Sequence, residues 1–310
     1  MLSERTLRHL GKKLSLEPEL LEKDSLIHAL LSRIAESDYL RSNLIFKGGT
    51  CLVKAYIPYY RFSEDIDFCW FDQSRWFGAS ARETERLCMA EMKQVIEVMN
   101  KICCSLDLRF NPSIKEGDDV FIGNSGTKLT LHLNYTSTAS GDEGRVKMEI
   151  NFLDLVLYSM ETRRLNSLLD DIGEDDLSIH PEIEQCRMGT DLKCYSVREI
   201  FAEKIRAALT RKQYKIRDSL DMAMIQYVYG LDIFDFEYDA QKKIEFTTRR
   251  FGRYASNLMG PLLPESSQDL EKEMILMITQ RPPNLMNDMV EINKHLNQLK
   301  NELSKKMKTI

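Results

Sequence analysis

The sequence predicts an α+β protein, with a mixed sheet flanked by helices and then a mainly helical C-terminal domain. Three observations predict it. Apolar residues in the first 160 or so positions alternate between helical and strand-like spacing. The stretch VKMEINF at 146–152 alternates cleanly, with Val146, Met148, Ile150 and Phe152 on one face and Lys147, Glu149 and Asn151 on the other. From Ser196 onward the periodicity is helical. The expected boundaries are an α/β domain over 1–160, an acidic linker or loop region over 161–195, and a helical domain over 196–310.

The elements follow in order. Residues 17–40 carry Leu20, Leu21, Ile27, Leu30, Leu31 and Ile34 at helical spacing. A strand follows in SNLIFKG, and Gly48-Gly49 breaks it. TCLVKAYI then predicts a short helix, and Tyr60 to Phe71 a second strand. Over 80–104 a long helix is expected, with Leu87, Met89, Val95, Ile96, Val98 and Met99 as its buried stripe. The stretch 118–135 predicts a hairpin turning at NSG. The run DDIGEDD at 170–176 lacks the ordered spacing of an EF-hand loop and is expected to be solvated loop. Ser196 and Glu199 give the S-x-x-E signature of a capping box, opening the helix EIFAEKIRAALTRK. A further helix starts near Arg217, and the tail over 268–308 predicts helices interrupted by Arg281-Pro282-Pro283.

Composition narrows the function classes. The chain has 310 residues, 43% hydrophobic and 29% charged, which is ordinary for a globular protein. A net charge of -5 argues against a non-specific nucleic-acid coat, while leaving room for a local basic patch. Seven cysteines without a CxxC spacing suggest reduced, mostly buried thiols. Five scattered histidines without HExxH give no reason to expect zinc. The polar N-terminus has no signal-peptide core, and no stretch approaches the roughly 18 apolar residues of a membrane span. The expectation is a cytoplasmic protein with no membrane partner.

Asp65 and Asp67 lie two apart on an expected strand, so both carboxylates share a face. Two such carboxylates repel unless a cation neutralises them. Hard oxygen ligands suit Mg²⁺ or Mn²⁺, which also bind substrate phosphates. Glu149 on the later alternating strand completes a three-acid set, the arrangement for in-line phosphoryl chemistry on two ions. Taken alone, an Asp-x-Asp on a half-exposed strand is more often plain surface. Gly48-Gly49-Thr50, between an expected strand and helix, would aim backbone N–H groups at one spot, as a triphosphate requires. Neither GxxxxGK[ST] nor GxGxxG is present. Downstream, Lys204 and Arg211 fall on one helix face, and Arg217 and Asp221 are spaced for a local ion pair. Arg61, just before the acids, either contacts a phosphate or pairs with Glu64.

FKGGT followed by RFSEDIDF resembles the AbiEii/AbiGii-type nucleotidyltransferase toxins, the abortive-infection toxins of type IV toxin–antitoxin systems. These belong to the DNA polymerase β-like nucleotidyltransferase superfamily, whose signature is G-[GS], then D-x-D, then a third acid on a later strand. Glu22-Lys23-Asp24 resembles an upstream element of the family, and VREIFAEKIRAALTR with KIRDSLD resembles its downstream signature. The resemblance implies that Gly48, Gly49 and Thr50 hold nucleotide phosphates, and that Asp65 and Asp67 bind metal ions with Glu149 as third acid and Asp154 as its rival. It implies that Lys204 reaches the triphosphate or the leaving pyrophosphate, and that Asp221 orients a basic group or the substrate. The activity implied is Mg²⁺-dependent transfer of a nucleoside monophosphate from a nucleoside triphosphate to an acceptor, tRNA or another RNA included, with a cognate antitoxin. Two alternatives stand beside it: a metal-dependent nuclease or phosphohydrolase using the same acids, and a non-catalytic binding protein that keeps the fold but not the chemistry. Lys300, Lys305, Lys306 and Lys308 make the tail LNQLKNELSKKMKTI locally basic, suited to RNA or to a protein partner.

Overall fold

Strand β1 (Leu44–Lys47) is buried at all four positions, as befits a strand with neighbours on both edges and cover on both faces. The computed structural model describes residues 2–115, 117–187, 189–266, 268, 270–271 and 281–308. In it β1, β2 (Asp65–Trp70), β3 (Val120–Gly123), β4 (Lys128–Thr136), β5 (Glu143–Asn151), β6 (Met160–Leu165) and β7 (Thr190–Tyr195) form one sheet in the order β3-β4-β5-β2-β1-β7-β6. The sheet is mixed. β2 runs antiparallel to β1 and parallel to β5, and β1 runs parallel to β7.

The chain divides into two compact units. The first comprises Met1–Pro58, Phe62–Leu153 and Met160–Cys194, and so holds the sheet apart from Tyr195. Its helices are α1 (Glu4–Leu14), α2 (Pro18–Glu36), α3 (Asp38–Asn43), α4 (Gly48–Cys51, continued by a π-turn over Leu52–Tyr56), α5 (Ala81–Ser105), α6 (Glu174–Ile179) and α7 (Ile183–Cys186). Leu129, Leu131 and Leu133 of β4, Val146, Met148 and Ile150 of β5, and Ile66 and Phe68 of β2 are buried. Burying that set fixes the register, because a one-residue slip would turn it to the other face. The seam of α5 is Cys88, Met92, Val95, Met99 and Ile102, whereas Leu87, Met89 and Val98 flank it half-buried. The expected stripe is thus rotated, because a buried thiol packs as a small apolar side chain.

The second unit comprises Tyr59–Arg61, Asp154–Ser159 and Tyr195–Ile310. It contains α8 (Val197–Thr210), α9 (Ile216–Tyr229), a 3₁₀ turn (Ile233–Phe236), α10 (Glu237–Arg250), α11 (Gly252–Leu258) and α12 (Leu285–Lys308). α12 packs against α9, α8 and α11. Ser196 caps α8, accepting from Glu199 N at 3.3 Å. The Glu199 carboxylate accepts from Leu157 N and Tyr158 N at 2.8 and 2.9 Å, so only the serine half of the expected box is seen among these contacts. The helix expected from 268 to 280 falls mostly outside the described residues.

Residues 161–195 correct the expectation of a linker. They contain α6, α7, β7 and most of β6. β6 escapes the strand pattern because it lies at a sheet edge, where METRRL can turn charge to solvent. Nor is the acidic run wholly solvated. Asp176 is buried, 2.6 Å from His9 Nε2, and is also paired with Lys13, which ties the run to α1. All seven cysteines are free and all but Cys104 are buried. Among the described residues no helix is long and apolar enough to cross a membrane.

Candidate active site

The sheet register decides which polar side chains meet. Asp65 pairs with Lys147 and Asp67 with Glu149 across the parallel β2–β5 ladder. Since Ile66, Phe68, Met148 and Ile150 take the buried face, these four side chains share the opposite one. Lys147 Nζ lies 3.3 Å from Asp65 Oδ2 and 3.4 Å from Glu149 Oε1. Lys128 Nζ lies 2.8 Å from Glu149 Oε2.

The carboxyls do not share these cations evenly. Burial, then Glu149 and Asp65, push the Asp67 carboxyl above its ordinary value, and Lys47 and Lys147 only partly offset this. Burial also acts against the charged form of Glu149, but Lys128 and Lys147 outweigh it and hold that carboxyl low. Lys147 is likewise opposed by burial, yet Glu149, Asp65 and Asp67 raise it above the usual lysine value. The chain therefore compensates the charge of Asp67 less than that of Glu149.

The glycine turn meets this acid. Gly48 ends β1 at φ +81°, and a Cβ built there would lie 2.5 Å from Asp67 Oδ2. Only glycine gives both that backbone angle and that approach. Thr50 is buried. Its hydroxyl lies 2.8 Å from Ser63 Oγ and donates to the Asp65 carbonyl, which pins the turn to the start of β2. Behind the turn, buried Lys54 lies 2.9 Å from buried Asp24. Glu22 accepts from Ser137 Oγ at 2.5 Å and Thr138 N at 2.6 Å, and Lys23 pairs with Glu64 at 2.6 Å. Glu22-Lys23-Asp24 is thus a brace: it ties α2 to the helix of the glycine turn, to the β4–β5 loop and to the approach to β2.

A divalent ion suits this donor set by chemistry: three carboxylates on one face, one of them destabilised as an anion. Among the described residues no group of three or more His, Cys, Asp or Glu is drawn together closely enough to hold one, and Lys147 stands between Asp65 and Glu149. An ion held by all three acids would take the place of that ammonium.

The remaining sequence-derived candidates lie in the second unit. Arg61 is buried and holds Asp221 with both arms, Nε to Oδ1 at 2.6 Å and Nη2 to Oδ2 at 2.7 Å. Tyr60 Oη donates to the same carboxylate at 2.5 Å. Lys204 Nζ lies 2.5 Å from Asp221 Oδ2 and 2.7 Å from Asp218 Oδ1, and Arg211 also pairs with Asp218. Lys204 and Arg211 do share a face, and what they share it for is Asp218. Burial opposes ionisation of both aspartates. Arg61 and Lys204 outweigh it at Asp221, Lys204 and Arg211 at Asp218, so both carboxyls sit below the usual range. Asp154, the rival third acid, follows β5 and accepts from Tyr195 Oη at 3.0 Å.

The chain matches, over residues 29–301, the family described as nucleotidyl transferase AbiEii toxin, type IV TA system. It belongs to that family. Two solved structures are similar to this AbiEii-family chain. One is JHP933 from Helicobacter pylori, with 14% identity over 94% of this chain and 97% of that one at TM-score 0.45. The other is a candidate nucleotidyltransferase from H. pylori, with 15% identity over 93% and 99% at TM-score 0.45. No curated protein matches the chain.

Sequence reasoning on this AbiEii-family chain missed the lysines that face the acids. Alternation alone places Lys147 beside Glu149, so that signal was present. Lys128 and Lys47 come from other strands, and only the register brings them in.

Proposed function

We propose that the chain transfers a nucleoside monophosphate from a nucleoside triphosphate to an acceptor hydroxyl, in a reaction dependent on Mg²⁺ or Mn²⁺. One observation carries the reading. The carboxylate of Asp67, beside Glu149 in the register, packs against a glycine that has no room for a side chain. Asp65, Asp67 and Glu149 would hold the ions, which when bound polarise phosphate oxygens and neutralise developing charge. The Gly48–Thr50 backbone would hold the phosphates. Lys204, held by Asp218 and Asp221, would donate to a phosphate oxygen as a point charge. Asp221 orients Lys204 and Arg61. RNA such as tRNA is the acceptor, the toxin acts in the cytoplasm in abortive infection, and a cognate antitoxin opposes it. The free thiols accord with a reducing compartment.

The test is incubation of the pure protein with each labelled triphosphate, Mg²⁺ and total cell RNA, beside Asp65→Ala/Asp67→Ala. Label should pass to RNA only with the intact acids. RNA cleavage in Mg²⁺ without label transfer would establish the nuclease reading instead.

A further inference from the structure

The acids lie on a sheet face that stays open beyond them. The register runs in rows across four strands. Asp67 faces Glu149, which faces Thr130, which faces Phe121. In the next row Asp65 faces Lys147, which faces His132. Phe121 is 44% exposed although it sits in a strand, and its ring centroid is 5.0 Å from that of His132. Neighbouring strands are about 4.8 Å apart, so His132 lies two strands, about 10 Å, from Asp65 and Phe121 three, about 14 Å, from Asp67, with Glu149 one strand nearer to each.

A cation completes the patch. Arg145 is exposed and lies on the same face of β5. Its Nε donates to Asn134 Oδ1 at 2.9 Å and its Nη1 is 3.2 Å from His132 Nδ1, so an amide and an imidazole hold it. Of the nearby acids, Glu143 is paired with Arg109, and Asp119 accepts from Asn134 Nδ2 at 2.8 Å and from Asn111 N at 2.9 Å. An exposed ring, an imidazole beside it and an exposed guanidinium are the parts that bind an unpaired nucleotide: a π-face for the base and a cation for its phosphate. The polar face between them and the acids is continuous through Thr130 and Lys147.

We infer that Phe121, His132 and Arg145 form a docking site for the acceptor: an unpaired base stacks on the Phe121–His132 pair and Arg145 takes its phosphate. The acceptor is then a single-stranded nucleic-acid end whose terminal hydroxyl reaches Asp65, Asp67 and Glu149 while an inner base is held on the platform. This rests on the transferase reading of the acids.

The test is direct binding of a short unpaired RNA, labelled away from its 3′ end, and in parallel of each nucleoside triphosphate alone, to the full chain. Phe121→Ala should weaken RNA binding about tenfold, within the range of one lost base stack, and Phe121→Trp should keep it. Arg145→Gln should weaken binding and flatten its dependence on salt. Thermal melting of each variant checks that the exposed substitutions leave the fold intact. Three results would overturn the inference: no RNA binding by the unaltered chain, RNA binding unchanged in Phe121→Ala, or a loss confined to triphosphate affinity, which would assign the ring to the donor base. The two readings fail separately. Loss of RNA affinity in Phe121→Ala with no label transfer by the unaltered chain would leave the platform and sink the transferase. Label transfer with unchanged RNA affinity would do the reverse.

Discussion

Each of the two units carries a cluster of carboxylates, and Asp67 of the first is held in the opposite electrostatic state to Asp218 and Asp221 of the second. In the second unit Asp218 and Asp221 are buried, and Arg61, Lys204 and Arg211 more than repay their desolvation, so both carboxyls are lowered. In the first unit Asp67 is raised, because burial and two neighbouring acids outweigh Lys47 and Lys147. The chain saturates one cluster with its own cations and leaves one acid of the other, Asp67, short. A saturated cluster serves as a brace. An acid left short of charge is, on the function proposed above, where an external ion would bind, and such deficits gather at functional sites.

Breaking the saturated cluster gives the largest expected effect. Asp221→Ala leaves Arg61 and Lys204 buried without their shared partner, and removing one side of a buried pair costs about 3–5 kcal/mol. Urea unfolding should show a loss of that order, and a loss below about 1 kcal/mol would reduce the network to decoration. Asp67→Asn should do the opposite: nucleotide transfer falls by about 10³-fold, several kcal/mol of transition-state stabilisation, while the fold survives. Single-turnover rates beside thermal melts separate the two quantities. Gly48→Ala comes next. The left-handed backbone costs an L side chain about 1–2 kcal/mol, and the new methyl displaces the Asp67 carboxylate, so stability and transfer should fall together.

The smallest effect concerns pH, and the two clusters have opposite signs. Asp218 and Asp221 are lowered on folding, so their contribution is present above the unfolded carboxyl value of about 3.9 and is lost as pH falls towards their folded values. Asp67 is raised, so its charge burdens the fold near neutral pH and the burden lifts as pH falls through its folded value. Asp67→Asn should therefore melt slightly above the unaltered chain at neutral pH, with the difference shrinking on acidification. Melting curves across pH 3–7 read both trends.

Much of the first site was legible because its signals are local. Period-two alternation put Asp65 with Asp67 and Lys147 with Glu149, and a glycine pair marked the turn. Long-range register was not legible. That Asp67 should face Glu149, and that Lys128 should reach the same acid, depends on strands distant in sequence. The second cluster was half legible. Helical spacing set Lys204 and Arg211 on one face, but that both end at Asp218 depends on α8 meeting α9. Arg61, expected to meet a phosphate or Glu64, holds Asp221, a partner 160 residues away. The basic tail was only partly what it seemed, since Lys300 is buried, 3.4 Å from the Asn257 carbonyl.

The contrast between the clusters is tested most directly by melting the unaltered chain, Asp67→Asn and Asp218→Asn with and without Mg²⁺. A ligand that binds only the folded state raises its melting temperature. Mg²⁺ should raise that of the unaltered chain and of Asp218→Asn, and leave Asp67→Asn where it was. An equal rise in Asp67→Asn, or none in the unaltered chain, would contradict the assignment of the β2–β5 acids as the metal-dependent centre.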